Sequence, residues 1–367
     1  MRRLTNLVAI VTSAVIASLI FAFAVAGCGS SEPGAETGTR SAAVSRASSL
    51  FAATTDPGGF RSGGPEILKC ALPAGPCQQH VALSKATGSG SIEYSTGRVL
   101  FRASYGSGTG ARLFSCSADT ADSCATVADK DVLYGPTASG GRVYFTVRTS
   151  DLSRPLLYSC DAATVRALSD CSSVTVPRLW GLEAIGDDTV VGWDNDADVI
   201  LACNATSGAC REFGRPPMQS VTMTYLPPFK RLYLGFSNSR FGQDANGYYP
   251  MWSCPVPEGG CSRLNSLGAA SGSFTGIGDT LYVGAAGVMA CDPVTPDRCR
   301  RFGGDSYIAD VLGDTDQVIV GTSEVFGEGS TVEGGIYRRP VDGGGGGAIR
   351  PHALRGITSL ASNASGP

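Results

Sequence analysis

Short apolar runs separated by turn residues fill the chain beyond about residue 45, and none of them keeps a helical period. The runs fall into sets. A first run, such as Ser91-Ile92-Glu93-Tyr94, Ser273-Phe274-Thr275-Gly276 or Tyr307-Ile308-Ala309-Asp310, leads into a turn containing Gly or Asp. A second follows, such as Arg98-Val99-Leu100-Phe101, Arg142-Val143-Tyr144-Phe145 or Arg231-Leu232-Tyr233-Leu234. A third carries two apolar residues and then a small or polar one, as in Leu113-Phe114-Ser115 and Leu157-Tyr158-Ser159. A fourth lies beyond the next turn. β-branched and aromatic residues dominate all four, so each set predicts four strands.

The set recurs about every 45 residues, seven times over. A repeat of that length built from four strands is a propeller blade. The predicted fold is therefore all-β: a seven-bladed β-propeller over residues 46–367. Ser49-Leu50-Phe51 matches a second strand, and the stretch from Gly356 to Ala361 matches a first one. The C-terminal strand is therefore expected to complete the N-terminal blade and close the ring, which removes an exposed sheet edge. The rival for that slot is Ala42-Ala43-Val44-Ser45.

Cysteine usage sharpens this picture. Of 13 cysteines, all but Cys28 form local pairs: Cys70/Cys77, Cys116/Cys124, Cys160/Cys171, Cys203/Cys210, Cys254/Cys261 and Cys291/Cys299. Each pair brackets the turn between third and fourth strands. The seventh unit, Ile336-Tyr337-Arg338-Arg339, has none. Proximity and repetition select six hairpin disulfides, which places the protein in an oxidising compartment. Closing loops of this size corresponds to about 2.5 kcal/mol each in the chain-entropy picture. Zinc is disfavoured, because zinc pairs are closer and converge in fours. No Cys-x-x-Cys redox motif occurs.

The N-terminus differs from everything after it. Arg2 and Arg3 precede a nearly continuous apolar stretch from Leu7 to Gly27, the pattern of a secretory signal. The stretch ends in Val25-Ala26-Gly27-Cys28, which resembles the lipobox of bacterial lipoproteins. That resemblance implies a signal peptide over 1–27, acyl chains on Cys28 and a stable membrane anchor. Residues 28–45, rich in Ser, Gly and Ala, would be a flexible tether. Gly29 follows the cysteine, where the family reads Asp as inner-membrane retention. The expected address is the cell envelope, with the outer membrane favoured if the host has two membranes. An uncleaved transmembrane anchor and a plain secreted protein are the alternatives.

Candidate chemistry is sparse. Net charge is −3, which argues against a nucleic-acid partner. The only histidines are His80 and His352, so histidine-rich metal sites are excluded. Ring closure would bring their units together, yet both read as surface residues. Asp194, Asp196 and Asp198 alternate like the opening of a calcium loop. Val199 stands where that loop needs Gly and Ala205 where it needs Glu, so an acidic surface turn is expected. Asn204-Ala-Thr and Asn363-Ala-Ser match glycosylation sequons by chance. No metal, cofactor or catalytic motif is predicted.

Loop length gives the one binding signal. Connections between second and third strands share one face of a propeller, and two of them are long. The first, from Phe236 to Pro250, carries Arg240, Phe241, Asp244, Asn246, Tyr248 and Tyr249. The second, from Gly321 to Gly335, carries Glu324, Phe326, Glu328 and Glu333. Aromatic and charged residues on long loops are candidate ligand contacts.

In its cysteine spacing the chain resembles uncharacterised bacterial lipoproteins with cysteine-stapled seven-bladed propeller repeats. The resemblance implies architecture and no catalytic residue. The leading expectation is an envelope-anchored propeller that binds a protein, peptide or glycan without catalysis. A propeller enzyme, hydrolase or dehydrogenase, is the second reading. A structural subunit of an outer-membrane assembly is the third.

Overall fold

The computed structural model describes residues 47–363 except 55–64, 73–74, 84–85, 107–109, 130, 152–153, 217–220, 237–250, 265–272, 286, 295–298, 304–307, 315, 323–324, 328–329, 333–334, 343–346 and 351–356. Residues 1–27 and 28–45, expected to form a signal peptide and a tether, lie outside the described residues, as do Cys28 and His352.

Seven antiparallel four-stranded sheets follow one another along the chain. Blades 2 to 7 begin with the innermost strands Gly88–Ser95, Val132–Ser139, Leu179–Gly186, Val221–Leu226, Ser273–Ile277 and Ile308–Asp314. Blade 1 is built from Ser49–Thr54, Glu66–Ala71 and Cys77–Ala82, and its innermost strand is the C-terminal Ile357–Ser362. That strand pairs antiparallel with Ser49–Thr54, with Phe51 opposite Ala361 and Ala52 opposite Leu360. The C-terminal strand thus closes the ring, as expected.

Asn363 clasps the closure. Its Oδ1 accepts the backbone N–H groups of Ser48 and Ser49 at 2.9 and 2.8 Å, and its Nδ2 donates to Ser48 Oγ at 2.8 Å. In the same join, Ala47 N–H donates to Asp314 Oδ1 of blade 7. The sequon-like Asn204 is likewise a turn former, accepting from the N–H groups of Thr206 and Ser207.

All six predicted disulfides are present: Cys70–Cys77, Cys116–Cys124, Cys160–Cys171, Cys203–Cys210, Cys254–Cys261 and Cys291–Cys299. Each joins the third and outermost strands of one blade, with Cα separations of 3.9–4.4 Å. The two halves of a bridge are not equivalent, a difference the spacing alone does not disclose. The first cysteine of each pair is buried among core side chains. The second is not a core residue. Cys77, Cys171, Cys210, Cys261 and Cys299 are half-buried against the edge of that core, and Cys124 is exposed. The reason is position: the second cysteine opens the outermost strand, where no further strand covers it. The bridge therefore ties the outermost strand directly to the packed interior.

A second repeated device accompanies the disulfide. Arg98, Arg142 and Arg231 open second strands, and each Nε donates to a serine hydroxyl, Ser115, Ser159 or Ser253, at 2.9, 2.9 and 2.5 Å. Those serines precede the first cysteine. They are the small polar residues of the third-strand pattern.

Two expectations about surface features resolve differently. Asp194 forms a solvent-facing turn, its Oδ1 accepting the N–H groups of Asp196 and Ala197, as anticipated. His80 is not a surface residue: it is 3% exposed. Its Nε2 lies 2.8 Å from the Ser117 carbonyl of blade 2, and its ring meets Phe51 edge-on. Facing the next blade rather than solvent, it joins blades 1 and 2.

Candidate functional site

The seven innermost strands leave one edge each facing a central channel, so their backbone N–H groups there have no strand to pair with. The sequence supplies side chains instead. Thr137 Oγ1 of blade 3 accepts from Ala184 N–H of blade 4, and Thr275 Oγ1 of blade 6 accepts from Gly313 N–H of blade 7. Ser273 Oγ accepts from Val311 N–H. Blades 3 and 6 thus each cap the blade that follows.

Carboxylates extend the scheme. Glu183 of blade 4 accepts from Tyr225 N–H of blade 5 at 2.7 Å and from the Thr137 hydroxyl of blade 3 at 3.4 Å. Asp310 of blade 7 accepts from Leu360 N–H and Ser359 Oγ of the closing strand, and from Ser273 Oγ of blade 6. Each therefore joins three consecutive blades. Burial pushes both carboxyls up in pKa, Glu183 to about 7, against the pull of those donors.

Glu93 of blade 2 occupies the same place in its blade as Glu183. It stands opposite Leu100, one residue past Val99, which faces Cys116. Glu183 stands opposite Val191, one residue past Val190, which faces Cys203. Yet the Glu93 carboxylate accepts no hydrogen bond among the described residues. The register gives a reason. Thr137 stands opposite Tyr144, which faces Ser159 beside Cys160. The matching residue of blade 1, opposite Phe51 and Lys69, is Ala361. Alanine has no hydroxyl to offer. Burial first, then the neighbouring charges of Glu183 and Asp310, hold the Glu93 pKa well above the carboxylate range.

The channel holds a cavity of about 830 Å³ whose wall includes residues from all seven innermost strands. Glu93, Glu183 and Asp310 all line it. At one mouth stand Trp180, Tyr134 and Arg102. Trp180 and Tyr134 lie early in their strands and Arg102 late in a second strand, so they share the face that carries the second-to-third-strand connections. Trp180 is 40% exposed, with the Arg178 guanidinium 4.9 Å above its ring and Tyr134 at 5.8 Å. Arg102 Nη1 donates to the Leu133 carbonyl, while its Nε is buried without a partner among the described residues. Burial lowers the Arg102 pKa and raises that of Tyr134.

β-bulges shape this wall. The innermost strands of blades 1, 2, 3, 4 and 7 shift register next to Ser359, Ile92, Tyr134, Glu183 and Asp310, whereas those of blades 5 and 6 are regular. Bulges re-aim side chains. In blade 3 the bulge depends on Gly135, whose φ is +91° and where a Cβ would meet the Tyr144 carbonyl oxygen at 2.8 Å.

Arg240, Phe241, Asp244, Asn246, Tyr248, Tyr249, Glu324, Glu328 and Glu333 lie outside the described residues. Phe326 belongs to a two-strand ribbon, Val325–Gly327 with Ser330–Val332, within the second long loop. Among the described residues no three His, Cys, Asp or Glu side chains are grouped to hold a metal ion. The described strand ends that flank the loops named from sequence, Phe236 and Met251, Thr322 and Gly335, lie at the same end of their strands as the mouth residues. Sequence reasoning passed over Glu93, Glu183, Asp310 and Arg102, although an acid inside an apolar first strand was a visible signal.

No protein-family model matches the chain, and no curated protein matches it in sequence. Among solved structures it is similar to a protein from Lactobacillus plantarum, with 12% identity and a TM-score of 0.56, over 86% of this chain and 99% of that one. TolB from Acinetobacter baumannii matches with 10% identity and a TM-score of 0.51, over 86% of this chain and 66% of that one. A prolyl endopeptidase structure matches with 11% identity and a TM-score of 0.54, over 85% of this chain and 49% of that one. Likeness at this identity is a likeness of fold.

Proposed function

We propose that this protein is a lipid-anchored envelope protein, acylated at Cys28, whose propeller binds a protein, peptide or glycan at the Trp180 mouth of its channel. The observation that carries this reading is the half-exposed Trp180, flanked by Arg178, Tyr134 and Arg102, over a concave cavity. Large aromatics and arginines are the side chains that dominate binding energetics, and concave sites are where ligands lodge. The strand ends that carry the 236–250 and 321–335 connections lie on the same face, so those loops would frame an arriving partner. The likeness to TolB is compatible with a binding role at the level of fold.

The test is a cross-linking pull-down from intact cells with the wild type, Trp180→Ala and a variant with the 236–250 loop shortened. Trp180→Ala should lose most of the partner recovered by the wild type. Equal recovery by all three chains would remove the mouth as the binding site.

A propeller enzyme is the second reading, favoured by one observation. A buried carboxyl with a pKa of about 7, as at Glu183, suits a general acid or base. Turnover of glycosides or esters that Glu183→Gln abolishes would promote it.

A further inference from the structure

Glu183 and Asp310 have a structural task that Glu93 lacks. Each of the first two is filled by donors from the blades on either side. Glu93 sits deep in the channel with part of its surface open to the cavity, at the position equivalent to Glu183, and caps nothing. Its carboxylate is reachable from the cavity and accepts no hydrogen bond among the described residues, so its acceptor sites are open to a ligand. Such a group invites a donor from outside the chain.

Three carboxyl groups face one guanidinium, Arg102, across the cavity, so the wall favours positive charge. Arg102 lies toward the mouth, and its Nη1 is held by the Leu133 carbonyl. Among the described residues no three His, Cys, Asp or Glu side chains gather to hold a metal ion. The cavity of about 830 Å³ suits an organic group. Tyr134 and Trp180 add aromatic rings at the mouth. Aromatic faces attract organic cations.

We propose that Glu93 is the anchor of a channel subsite for an organic cation, the ammonium or guanidinium group of a ligand that enters past Trp180. The subsite deepens the binding reading above and rests on it. Two sources share this chemistry: a free polyamine, and a lysine or arginine side chain on a peptide. A charge-assisted hydrogen bond to a desolvated carboxylate is among the stronger polar contacts, so its loss is readable as affinity.

The experiment is calorimetric titration of the full chain in detergent at pH 8, with spermine and with a Gly/Ser peptide bearing one central arginine. The wild type should bind at least one probe, and Glu93→Gln should weaken that binding at least tenfold. Glu183→Gln, which alters an occupied carboxylate at the equivalent position, should weaken it by less. Ala361→Thr restores the hydroxyl that blade 1 lacks, and should compete for Glu93 and weaken the probe while the chain still folds. Tighter peptide than spermine binding assigns the side chain as the source, and the reverse assigns the polyamine. No wild-type binding of either probe, or equal binding by Glu93→Gln, overturns the proposal. In that case partner loss by Trp180→Ala would leave the mouth reading standing, and partner retention would end both.

Discussion

The rim and the channel of this ring obey opposite rules. At the rim, each of six blades repeats the same solution: a buried first cysteine bridged to the outermost strand. Three blades also repeat an Arg-to-Ser hydrogen bond beside it. Channel devices are shared by few blades: blades 3 and 6 repeat a threonine cap, and blades 2 and 4 place a glutamate alike. Threonine, serine, glutamate and aspartate cap different neighbours, five of the strands are bulged near channel-lining residues, and one carboxylate is left over. Repetition at the rim serves stability, which every blade needs equally. Departure from the repeat in the channel marks where demands other than stability act.

The largest expected effect tests whether the channel is also structural. Deleting residues 356–367 strips blade 1 of its innermost strand, exposes Leu50 and Phe51, and takes two donors from Asp310. Losing one buried leucine contributes about 2 kcal/mol and an orphaned buried carboxylate as much again. Chemical denaturation should therefore show a loss on the order of 4 kcal/mol or more. An unchanged midpoint would mean that the closing strand contributes nothing.

Next comes Glu183. Its pKa is raised from 4.5 to about 7 on folding, so the native chain holds that proton more tightly than the unfolded chain. The associated stability is full below pH 4.5 and is lost as pH rises to about 7, beyond which it is flat. The shift corresponds to roughly 3 kcal/mol. Wild-type stability should fall between pH 4.5 and 7, and Glu183→Gln should flatten that slope. Parallel profiles for the two chains would contradict the buried, blade-joining position of Glu183.

The smallest effect belongs to the rim. Replacing Cys203 and Cys210 together by alanine should lower stability by about 2.5 kcal/mol, and leave spermine titration unchanged. A variant that lost probe binding with its stability intact would break the division between rim and channel.

The same division explains what the sequence disclosed. Rim features recur at a fixed period, so cysteine spacing and strand pattern reveal blade number, disulfide pairing and the closing strand. Which half of each bridge is buried stays hidden, because Cys124, Cys171, Cys261 and Cys299 differ from their partners only in lying on the outermost strand or at its start. The Arg98/Ser115 type of pair is present in the strand pattern but acquires meaning only when the second and third strands are set in register. Channel features escape because they are relations between blades. Glu93, Glu183 and Asp310 are far apart in the chain, and the contrast of Ala361 with Thr137 exists only once positions are matched across blades. His80 misleads for the same reason, since its partner Ser117 belongs to the neighbouring blade.

Blade 1 draws its strands from both ends of the propeller sequence, with Ser49–Thr54 waiting for Ile357–Ser362. A chain that emerges N-terminus first therefore completes blades 2 to 7 before its opening strand finds an inner mate. During that interval Leu50, Phe51 and Ala52 lie along a bare edge able to recruit any foreign strand. Any chain that lacks residues 357–363 leaves that edge bare and loses the Asn363 clasp that holds Ser48 and Ser49.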